Sequence, residues 1–463
     1  MSRIVRSSKV RHVFCEPAKP QQQFLDLRLS SCTGEQNYIK ANRQYVAFAV
    51  ATGGGALAVL PLSRPGKQNP CLACIDGHVG AVTDFDWDPF QDEVLASGGE
   101  DCCVKVWRVP AGGLVENLVH PLCDLREHQK KVTVVRYHPV AEGVLASGSA
   151  DCLVKIWDVS RGECKVTSSA NAQLVQDVVW NWDGSLLASS AKDKLLSVID
   201  PRTGAASGQV VAHDGSKSSK LCFLGRSGRL LSVGFTKTSK RQLKIWDLAK
   251  LDEPLATYDI DQGSGALMPF FDPDTSLLYL AGKGDGNVRY FEITEDEPHV
   301  FPVSDFRAQS PTKGMCLLPK LTCDTTRTEV ARFLKLTNDS VEPLSFIIPR
   351  KSEQFQEDVY PDAYAGLPAL SADEFFSGLN ASPRLTSMDP AKRADLAHAP
   401  SQAHAPLPAA TPKRTLAELE RDLDKCRAYV AQLQQVCQAH HIAVPDGPAF
   451  LAERADDLPV SSA

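Results

Sequence analysis

The sequence lacks the marks of several large protein classes. Its 463 residues carry no excess of basic charge, since the net charge is −6 and the pI is about 6.0. This balance argues against a general nucleic-acid-binding protein. The opening residues, MSRIVRSSKVRHVF, do not follow a charged stretch with an apolar one as a secretory signal does. We therefore expect a reducing cytosol, in which the 14 cysteines are small buried residues rather than a disulfide framework.

The sequence also lacks an unbroken apolar segment suited to a membrane. One uncharged stretch, residues 45–63, approaches the length of a transmembrane helix. Three consecutive glycines divide it into YVAFAVAT and ALAVLPL, which reads better as two strands joined by a turn. Because no other segment competes, the sequence predicts a soluble protein.

Signatures of catalysis are absent as well. There is no P-loop and no G-x-S-x-G elbow, and the glycine-rich residues 282–286 are not followed by a predicted helix. Cys71, Cys74 and His78 have ligand-like spacing, but no second CxxC pair follows to complete a zinc site. We expect no enzyme activity, no cofactor and no metal.

What the sequence does contain is a repeat, most visible in residues 94–107 (VLASGGEDCCVKVW) and 144–157 (VLASGSADCLVKIW). Each copy reads as a β-hairpin, with an apolar strand, a short turn and an alternating strand. A histidine stands at the same distance before each final tryptophan. Such an interval, repeated at roughly 40 to 50 residues, is typical of a propeller blade of the WD40 type.

The tryptophan position recurs along the chain and predicts seven blades. Seven units suit a closed ring, because each blade buries its apolar faces only against its neighbours. Residues 10–14 precede the first blade and are free to pair with the last one, which closes the ring. The sequence thus predicts an all-β fold, a seven-bladed WD40-type β-propeller over residues 1–350. The seven positions are Leu60, Trp107, Trp157, Ile199, Trp246, Phe291 and Leu334.

Four residue types recur together in the second and third repeats. A histidine, a serine and an aspartate could be mistaken for a catalytic triad. In WD40 blades the same types form a buried hydrogen-bond chain, in which the aspartate fixes the imidazole and the hydroxyl links it to the indole N–H. Two copies favour a scaffold over a single active site. The two structural tetrads are His78, Ser97, Asp101 and Trp107, and His128, Ser147, Asp151 and Trp157.

The chain beyond the blades divides into four parts. Residues 351–390 are aromatic but not periodic, and we expect them to pack on the propeller as a C-terminal extension. Residues 391–412 are rich in alanine and proline and read as a linker. Residues 413–444 predict a short α-helical coiled coil, and residues 445–463 a flexible tail. The expected aromatic anchors of the extension are Phe355, Tyr360, Tyr364, Phe375 and Phe376.

The predicted coiled-coil helix has an apolar seam. A lone helix of this length is marginal in water, so the seam implies partner helices and hence a homo-oligomer. The seam alone leaves dimer, trimer and tetramer open. Its a and d positions are Leu416, Leu419, Leu423, Cys426, Val430, Leu433 and Cys437.

Several phrases of the sequence resemble the coronin family, namely RSSKVRHVF, GNVRYFEI, KGMCLLPK, ARFLKLTN and PLSFIIPRKSEQFQEDVYPD. The resemblance covers residues 5–390, and the linker and coiled coil complete the layout of a short coronin. It implies a cytoplasmic regulator of actin turnover that binds filamentous actin at the actin cytoskeleton and cell cortex. It also implies the actin-nucleating complex and cofilin as partners, and it favours a trimer.

The resemblance singles out one arginine. In the family, an arginine on the first blade is tied to filament binding within a phrase of the form D-x-R-x-S. The matching residue is Arg28, in the phrase LDLRLS.

A second candidate site follows from charge. Residues 213–244 contain eight basic residues against one acid, in a chain of net charge −6. Such a segment suits an acidic filament or an anionic membrane, although an ordinary solvated loop has the same composition. Lys237, Lys240 and Arg241 are the candidate contacts. A membrane-trafficking or phosphoinositide-binding scaffold therefore remains the alternative to an actin-binding protein.

Overall fold

The computed structural model describes residues 8–29, 35–50, 55–351 and 354–393. Within these ranges the chain forms antiparallel sheets arranged as a seven-bladed β-propeller, so the predicted fold class is confirmed. The predicted coiled coil and tail, and all but the first three residues of the predicted linker, lie outside the described residues. Among the described helices, none is both long enough and apolar enough to span a bilayer.

Six blades have four strands each, in chain order from the centre outwards, and the first strands of most neighbouring blades contact one another around the axis. Blade 1 comprises Ile39–Ala41, Tyr45–Ala49, Leu57–Pro61 and Cys74–Ile75; blade 2 comprises Val82–Trp87, Val94–Gly99, Val104–Arg108 and Cys123–Leu125; blade 3 comprises Val132–Tyr137, Val144–Ser149, Val154–Asp158 and Glu163–Ser168. Blade 4 comprises Val175–Trp180, Leu187–Ala191, Leu195–Ile199 and Ala206–Val211; blade 5 comprises Lys220–Phe223, Arg229–Phe235, Arg241–Asp247 and Ala256–Asp261; blade 6 comprises Leu267–Asp272, Leu277–Gly282, Asn287–Ile293 and Val300–Arg307.

Blade 7 is completed by the beginning of the chain. Its first three strands are Gly314–Leu317, Glu329–Leu336 and Val341–Ile347, and Phe14–Pro17 pairs with the third as the outer strand. The closing strand therefore begins at the last residue of the segment expected to close the ring. Pairing the two ends of the propeller in one sheet removes the exposed strand edges that an open ring would leave.

The assignment of Leu334 to the tryptophan position is wrong. Leu334 lies in the second strand of blade 7, where it pairs with Cys316 and Pro343, and the third strand follows only at Val341–Ile347. The connection between the first two strands contains two 3-10 helices, Lys320–Thr322 and Thr325–Arg327. Because this connection is longer than in the other blades, the second and third strands of blade 7 begin later in the sequence. A constant repeat spacing therefore places the tryptophan position in the second strand instead of the third.

The middle strands of the blades are buried on both faces because neighbouring blades stack against them. Every residue of Val94–Gly99 and Val144–Ser149 is buried, which explains their continuous apolar and small-residue composition. Gly98 illustrates the close approach, since a Cβ atom there would lie 2.5 Å from Cγ1 of Val132 in the next blade. The small and apolar residues of the repeats are therefore explained by the packing of each blade against the next.

The C-terminal extension, described at residue 351 and over residues 354–390, packs on the propeller. Its helix Ala372–Phe376 begins with a capping box formed by Ser371 and Glu374. Phe375 is buried, and its ring lies 4.6 Å from the His138 ring in an edge-on arrangement. Of the other expected anchors, Tyr360 is buried, and Phe355, Tyr364 and Phe376 are partly buried. The remaining elements are the strand pair Ala363–Tyr364 and Leu385–Thr386, the helix Pro390–Arg393, the 3-10 helix Pro20–Gln22, and the short strands Phe24–Leu25 and Gly66–Lys67.

Candidate functional site

The propeller has two faces that differ in what lies on them. Because the strands alternate in direction, the turns between second and third strands and the loops entering first strands share one face, which we call the turn face. The connections between first and second strands lie on the other, the extension face. The extension docks there, since the Tyr364 hydroxyl donates to the carbonyl of Pro139, which follows the first strand of blade 3.

Blade 2 contains a complete hydrogen-bond tetrad at the turn face. His78 Nδ1 lies 2.9 Å from Asp101 Oδ1, and His78 Nε2 lies 2.7 Å from Ser97 Oγ. The Trp107 indole N–H donates to the same serine oxygen at 2.8 Å. Ser97 is fully buried, so its hydroxyl cannot reach a substrate. The tetrad ties the loop, the turn and the third strand of the blade together.

The charge state of this tetrad is set by its hydrogen bonds. Burial acts to raise the pKa of Asp101, but hydrogen bonding to His78 and to the backbone N–H groups of Val79 and Cys103 outweighs it and lowers the pKa to about 2. The carboxylate is therefore ionised at neutral pH and accepts hydrogen bonds throughout the physiological range.

Blade 3 repeats the arrangement almost unchanged. His128 Nδ1 lies 2.8 Å from Asp151 Oδ2, and its Nε2 lies 2.8 Å from Ser147 Oγ. Trp157 donates to Ser147 at 2.8 Å, and Ser147 is fully buried. Burial lowers the pKa of His128 despite the opposing effect of Asp151, so the imidazole is neutral. The serine hydroxyls of both tetrads are buried and hydrogen-bonded within their own blades, so the tetrads hold the blades together.

Blade 5 contains a shorter version of the tetrad, which was not among the predicted sites. His213 Nε2 lies 2.9 Å from Ser232 Oγ, and Trp246 donates to the same oxygen at 2.9 Å. Ser232 and Trp246 are 14 residues apart, whereas Ser97 and Trp107 are ten apart. The longer turn hides the repeat from a search at fixed spacing. A histidine upstream of an S…W pair was the available signal.

Arg28 lies exposed on the turn face between blades 7 and 1. The neighbouring Leu29 bridges Val50, which follows the second strand of blade 1, and the Leu27 N–H donates to the carbonyl of Asp339 in the corresponding turn of blade 7. Both contacts fix the backbone on either side of Arg28. Its side chain is left facing solvent.

Lys237 and Lys240 lie on the same face as Arg28. Both belong to the turn between the second and third strands of blade 5, which is closed by the Thr236 hydroxyl accepting from the Lys240 N–H. Lys237 is exposed and Lys240 is partly exposed. The turn therefore presents two cations to solvent.

Arg241 does not belong with these lysines. It begins the third strand of blade 5, is only 2% exposed, and donates to Asp261 at 2.6 Å and pairs with Asp285 of blade 6 at 2.7 Å. Its guanidinium joins two blades and does not reach the outer surface. The expectation that Arg241 contacts a partner is therefore corrected: it is a structural residue.

The structure brings further lysines to the turn face from blades 3, 4 and 5. We call the loops 127–131, 150–153, 169–174, 192–194, 212–219 and 236–240 the basic sector. Its basic residues are Lys130, Lys131, Lys192, Lys194, Lys217, Lys237 and Lys240, and its acids are Glu127, Asp151, Asp193 and Asp214. Seven cations against four acids leave the sector with a net charge of +3.

Near the turn face, the side chain of Gln36 bridges the first strands of blades 3 and 5 at the centre of the ring. Its Nε2 donates to the carbonyl of Thr133 at 2.8 Å, and its Oε1 accepts from Lys220 Nζ at 2.8 Å. Lys220 is buried there, 3.7 Å from Asp177, so it too is removed from the surface charge of blade 5. On the extension side the central channel opens into a cavity of about 620 Å³, partly lined by Trp180. Among the described residues, no three histidine, cysteine or acidic side chains cluster as metal ligands.

The ring of seven sheets and the repeated tetrads define a WD40-type β-propeller. Comparison with protein families agrees: residues 69–108 and 119–158 each match the WD domain, G-beta repeat, and residues 341–383 match a type of WD40 repeat. Residues 3–67, which include Arg28, match a domain of unknown function.

The more specific assignment comes from individual relatives. The chain is 44% identical over 391 residues to Coronin-A of Dictyostelium discoideum, covering 84% of this chain and 87% of that protein. It superimposes on the crystal structure of the WD40 domain of Toxoplasma gondii coronin with a TM-score of 0.78 and 36% identity, covering 82% of this chain and 98% of that one. A chain of the mitotic checkpoint complex, with 16% identity and a TM-score of 0.54, shares the fold alone. This chain belongs to the coronin family, which confirms the resemblance seen in the sequence.

Proposed function

We propose that this chain binds filamentous actin through its turn face and regulates actin dynamics. As a coronin it is an actin-associated protein of a scaffold family, and that association implies the cytoplasm. The observation that supports filament binding through the turn face is that Arg28, Lys237 and Lys240 all lie on this face. These three cations are far apart in the sequence, and all three lie on the face opposite the packed extension.

Charge supports this surface as the contact for an acidic filament. The basic sector has a net charge of +3 within a chain of net charge −6, so its field differs in sign from that of the molecule as a whole. A local field of this kind steers association with an acidic partner and is screened by salt. Arg28 adds a guanidinium suited to paired hydrogen bonds with a carboxylate.

Oligomerisation through residues 413–444 completes the proposal. If one propeller binds a filament weakly, linking several raises the effective concentration and multiplies affinity by roughly 10² to 10⁴. We propose a parallel homo-oligomer, with a trimer favoured over a dimer or tetramer. The proposed setting is the actin cytoskeleton at the cell cortex, with the actin-nucleating complex and cofilin as partners.

The test is filament co-sedimentation across a series of salt concentrations. We expect Lys237→Glu with Lys240→Glu to weaken binding and to reduce its salt dependence, because two cations of the contact surface are reversed. A matched control reverses Arg108 and Lys250, two exposed cations near the extension-face ends of third strands. Equal loss in both double variants would show a general charge effect and remove the turn face from the proposal.

The alternative function, a membrane-trafficking or phosphoinositide-binding scaffold, rests on the same lysines. Anionic lipid attracts clustered lysine and arginine at about 1 kcal/mol for each residue near the surface. Liposome flotation with the same variants separates the two functions. Flotation that depends on Lys237 and Lys240, together with filament binding that does not, would favour the membrane scaffold.

A further inference from the structure

The cavity on the extension face, of about 620 Å³, is lined mainly by aromatic side chains. All seven blades and the C-terminal extension contribute to its wall. A cavity of this volume, lined by aromatic groups and a few polar ones, is typical of a binding site. Partly exposed rings of the wall are Trp180, Trp182, Phe223, Phe270, Phe271 and Tyr364.

The charged groups that line the cavity are paired with one another. Four cations and four acids belong to the wall, and each cation lies within ion-pair distance of an acid. The fourth acid, Asp88, is buried, and its carboxylate accepts from two backbone N–H groups of its own turn. An uncharged occupant therefore suits the cavity better than an ion. The pairs are Lys40 with Asp86, Arg43 with Asp92, and Arg136 and Lys220 with Asp177.

Trp182 presents an unused hydrogen-bond donor at this wall. It lies in the turn after the first strand of blade 4, and the Arg226 guanidinium covers its ring at 5.0 Å. The other five indole N–H groups donate within the protein, as Trp180 does to the carbonyl of Arg136 at 3.3 Å. Among the described residues, the Trp182 N–H has no acceptor. A carbonyl group of an occupant can supply one.

The predicted linker starts at the rim of the cavity. Its first residues form the helix Pro390–Arg393, and Arg393 Nη1 donates to the carbonyl of Leu321 at 3.4 Å. Leu321 itself lines the cavity. A polyproline II segment rises about 3.1 Å per residue, so residues 394–406 can extend roughly 40 Å from this point. The chain that follows Arg393 is therefore long enough to enter the cavity.

The composition of the linker matches the cavity. Residues 396–412 (LAHAPSQAHAPLPAATP) contain no aspartate, glutamate, lysine or arginine. They contain four prolines, at positions 400, 406, 408 and 412. Proline-rich segments favour the polyproline II conformation, which leaves their carbonyl groups free to accept hydrogen bonds. Such segments bind to aromatic-lined grooves, because little conformational entropy is lost on binding.

We propose that the cavity is a proline-recognition site, occupied by residues 400–408 of the same chain in the polyproline II conformation. Pro406 and Pro408 pack on the aromatic wall, and the Trp182 indole N–H donates to a carbonyl of the segment. The proposal does not depend on actin binding, because the cavity lies on the face opposite Arg28.

Photo-cross-linking in the full chain tests where the linker lies. A benzophenone amino acid is placed at Leu407, between the two prolines, and mass spectrometry of the digested chain locates the attachment. We expect attachment to residues 180–182 or 269–273 of the cavity wall. The control has the same group at Leu458, which also precedes a proline, and we expect that product to be lost.

Mixing ¹⁵N-labelled with unlabelled chains separates attachment within one chain from attachment between two chains. Attachment only between chains would show that the linker binds to a second copy and would overturn the proposal. Attachment outside the cavity, or equal attachment from the control position, would overturn it as well.

A second measurement follows the indole N–H. In the full chain labelled with ¹⁵N-tryptophan, the Trp182 resonance is the one lost in Trp182→Phe. Pro406→Gly with Pro408→Gly should shift this resonance, because a more flexible segment docks about tenfold more weakly and the N–H loses its acceptor. Pro445→Gly with Pro448→Gly, beyond the linker, is the control and should leave it unmoved. A resonance unaffected by the linker substitutions, or shifted equally by the control, would overturn the proposal.

A free peptide tests whether proline is what the cavity recognises. Residues 399–410 (APSQAHAPLPAA), added to the chain with Pro406→Gly and Pro408→Gly, should return the Trp182 resonance to its wild-type position in a saturable way. The same peptide with glycine in place of both prolines should not. Equal effects of the two peptides, or no effect of either, would contradict recognition of the prolines.

Discussion

Arg28 and Arg241 carry the same charge but have opposite surroundings. Arg28 is exposed at the junction of blades 7 and 1, whereas Arg241 is enclosed by Asp261 and Asp285 at the junction of blades 5 and 6. A substitution at each position therefore tests a different property. Arg28 bears on binding, and Arg241 bears on the stability of the ring.

We expect Arg241→Met to destabilise the propeller by roughly 1.5 to 3 kcal/mol, because the partly buried carboxylates of Asp261 and Asp285 lose their charge-assisted hydrogen bonds to Arg241 and keep only the pairing with Arg289. Chemical denaturation monitored by tryptophan fluorescence measures the change. Lys240→Met, one residue earlier and partly exposed, is the control and should change the free energy of unfolding by less than about 0.5 kcal/mol. Equal effects of the two substitutions would contradict the structural role of Arg241.

The ionisation of Asp101 makes the stability of the propeller depend on pH. Its pKa is lowered to about 2 in the folded chain, below the usual aspartate value of about 3.9. Its contribution is therefore present above about pH 4 and is lost as the pH falls towards 2. We expect the difference in unfolding free energy between wild type and Asp101→Asn to be constant from pH 5 to 7 and to shrink below about pH 4. A difference that is unchanged down to pH 2 would contradict the assignment.

At the scale of elements, the extension stabilises blades 3 and 4 through a few specific contacts. Phe375 packs against His138 and Trp180, and Arg202 donates to the carbonyls of Phe375 at 2.7 Å and Leu379 at 2.6 Å. These contacts join the helix Ala372–Phe376 to connections on the extension face. The extension is thus part of the folded propeller unit.

Phe375→Ala should cost about 3 to 5 kcal/mol, because it removes a fully buried ring from a packed aromatic cluster. We also expect faster proteolytic cleavage within residues 354–390, since the helix loses its main anchor. The neighbouring Phe376→Ala, which removes a partly exposed ring, is the control and should cost less. A Phe375→Ala chain as stable and as resistant as the control would show that the extension is held elsewhere.

The sequence predicts the blades well because each blade packs its second and third strands against neighbouring blades in the same way. The hairpins at residues 94–107 and 144–157 share buried strands and a tetrad, so their similarity survives in the sequence. Leu334 was misassigned because a connection with two 3-10 helices breaks the spacing. The basic sector is not visible as a unit in the sequence, since the stacking of blades 3, 4 and 5 brings together lysines that lie as far apart as Lys130 and Lys240. Arg241 was misjudged because a charge count does not report burial.

In the proposed oligomer, several propellers bind one filament together. We expect Leu419→Pro with Leu433→Pro to give a monomer that keeps its propeller, because each proline removes a helix hydrogen bond at about 3 kcal/mol. Light scattering at micromolar concentration measures the mass. The monomer should sediment poorly with filaments, since it loses the gain from linkage. A wild-type chain that is already monomeric, or a double variant that still assembles, would end this part of the account.

Substitution of Arg28 shows whether the turn face binds the filament. The measurement is the dissociation constant from co-sedimentation with actin filaments for wild type, Arg28→Asp and Arg64→Asp, with circular dichroism to establish folding. Arg64 is the control, an exposed arginine after the third strand of blade 1, towards the extension face. We expect Arg28→Asp to raise the dissociation constant about tenfold or more through the loss of charge-assisted hydrogen bonds, and Arg64→Asp to change it less than about twofold. A folded Arg28→Asp chain that binds filaments as tightly as the wild type would contradict the account.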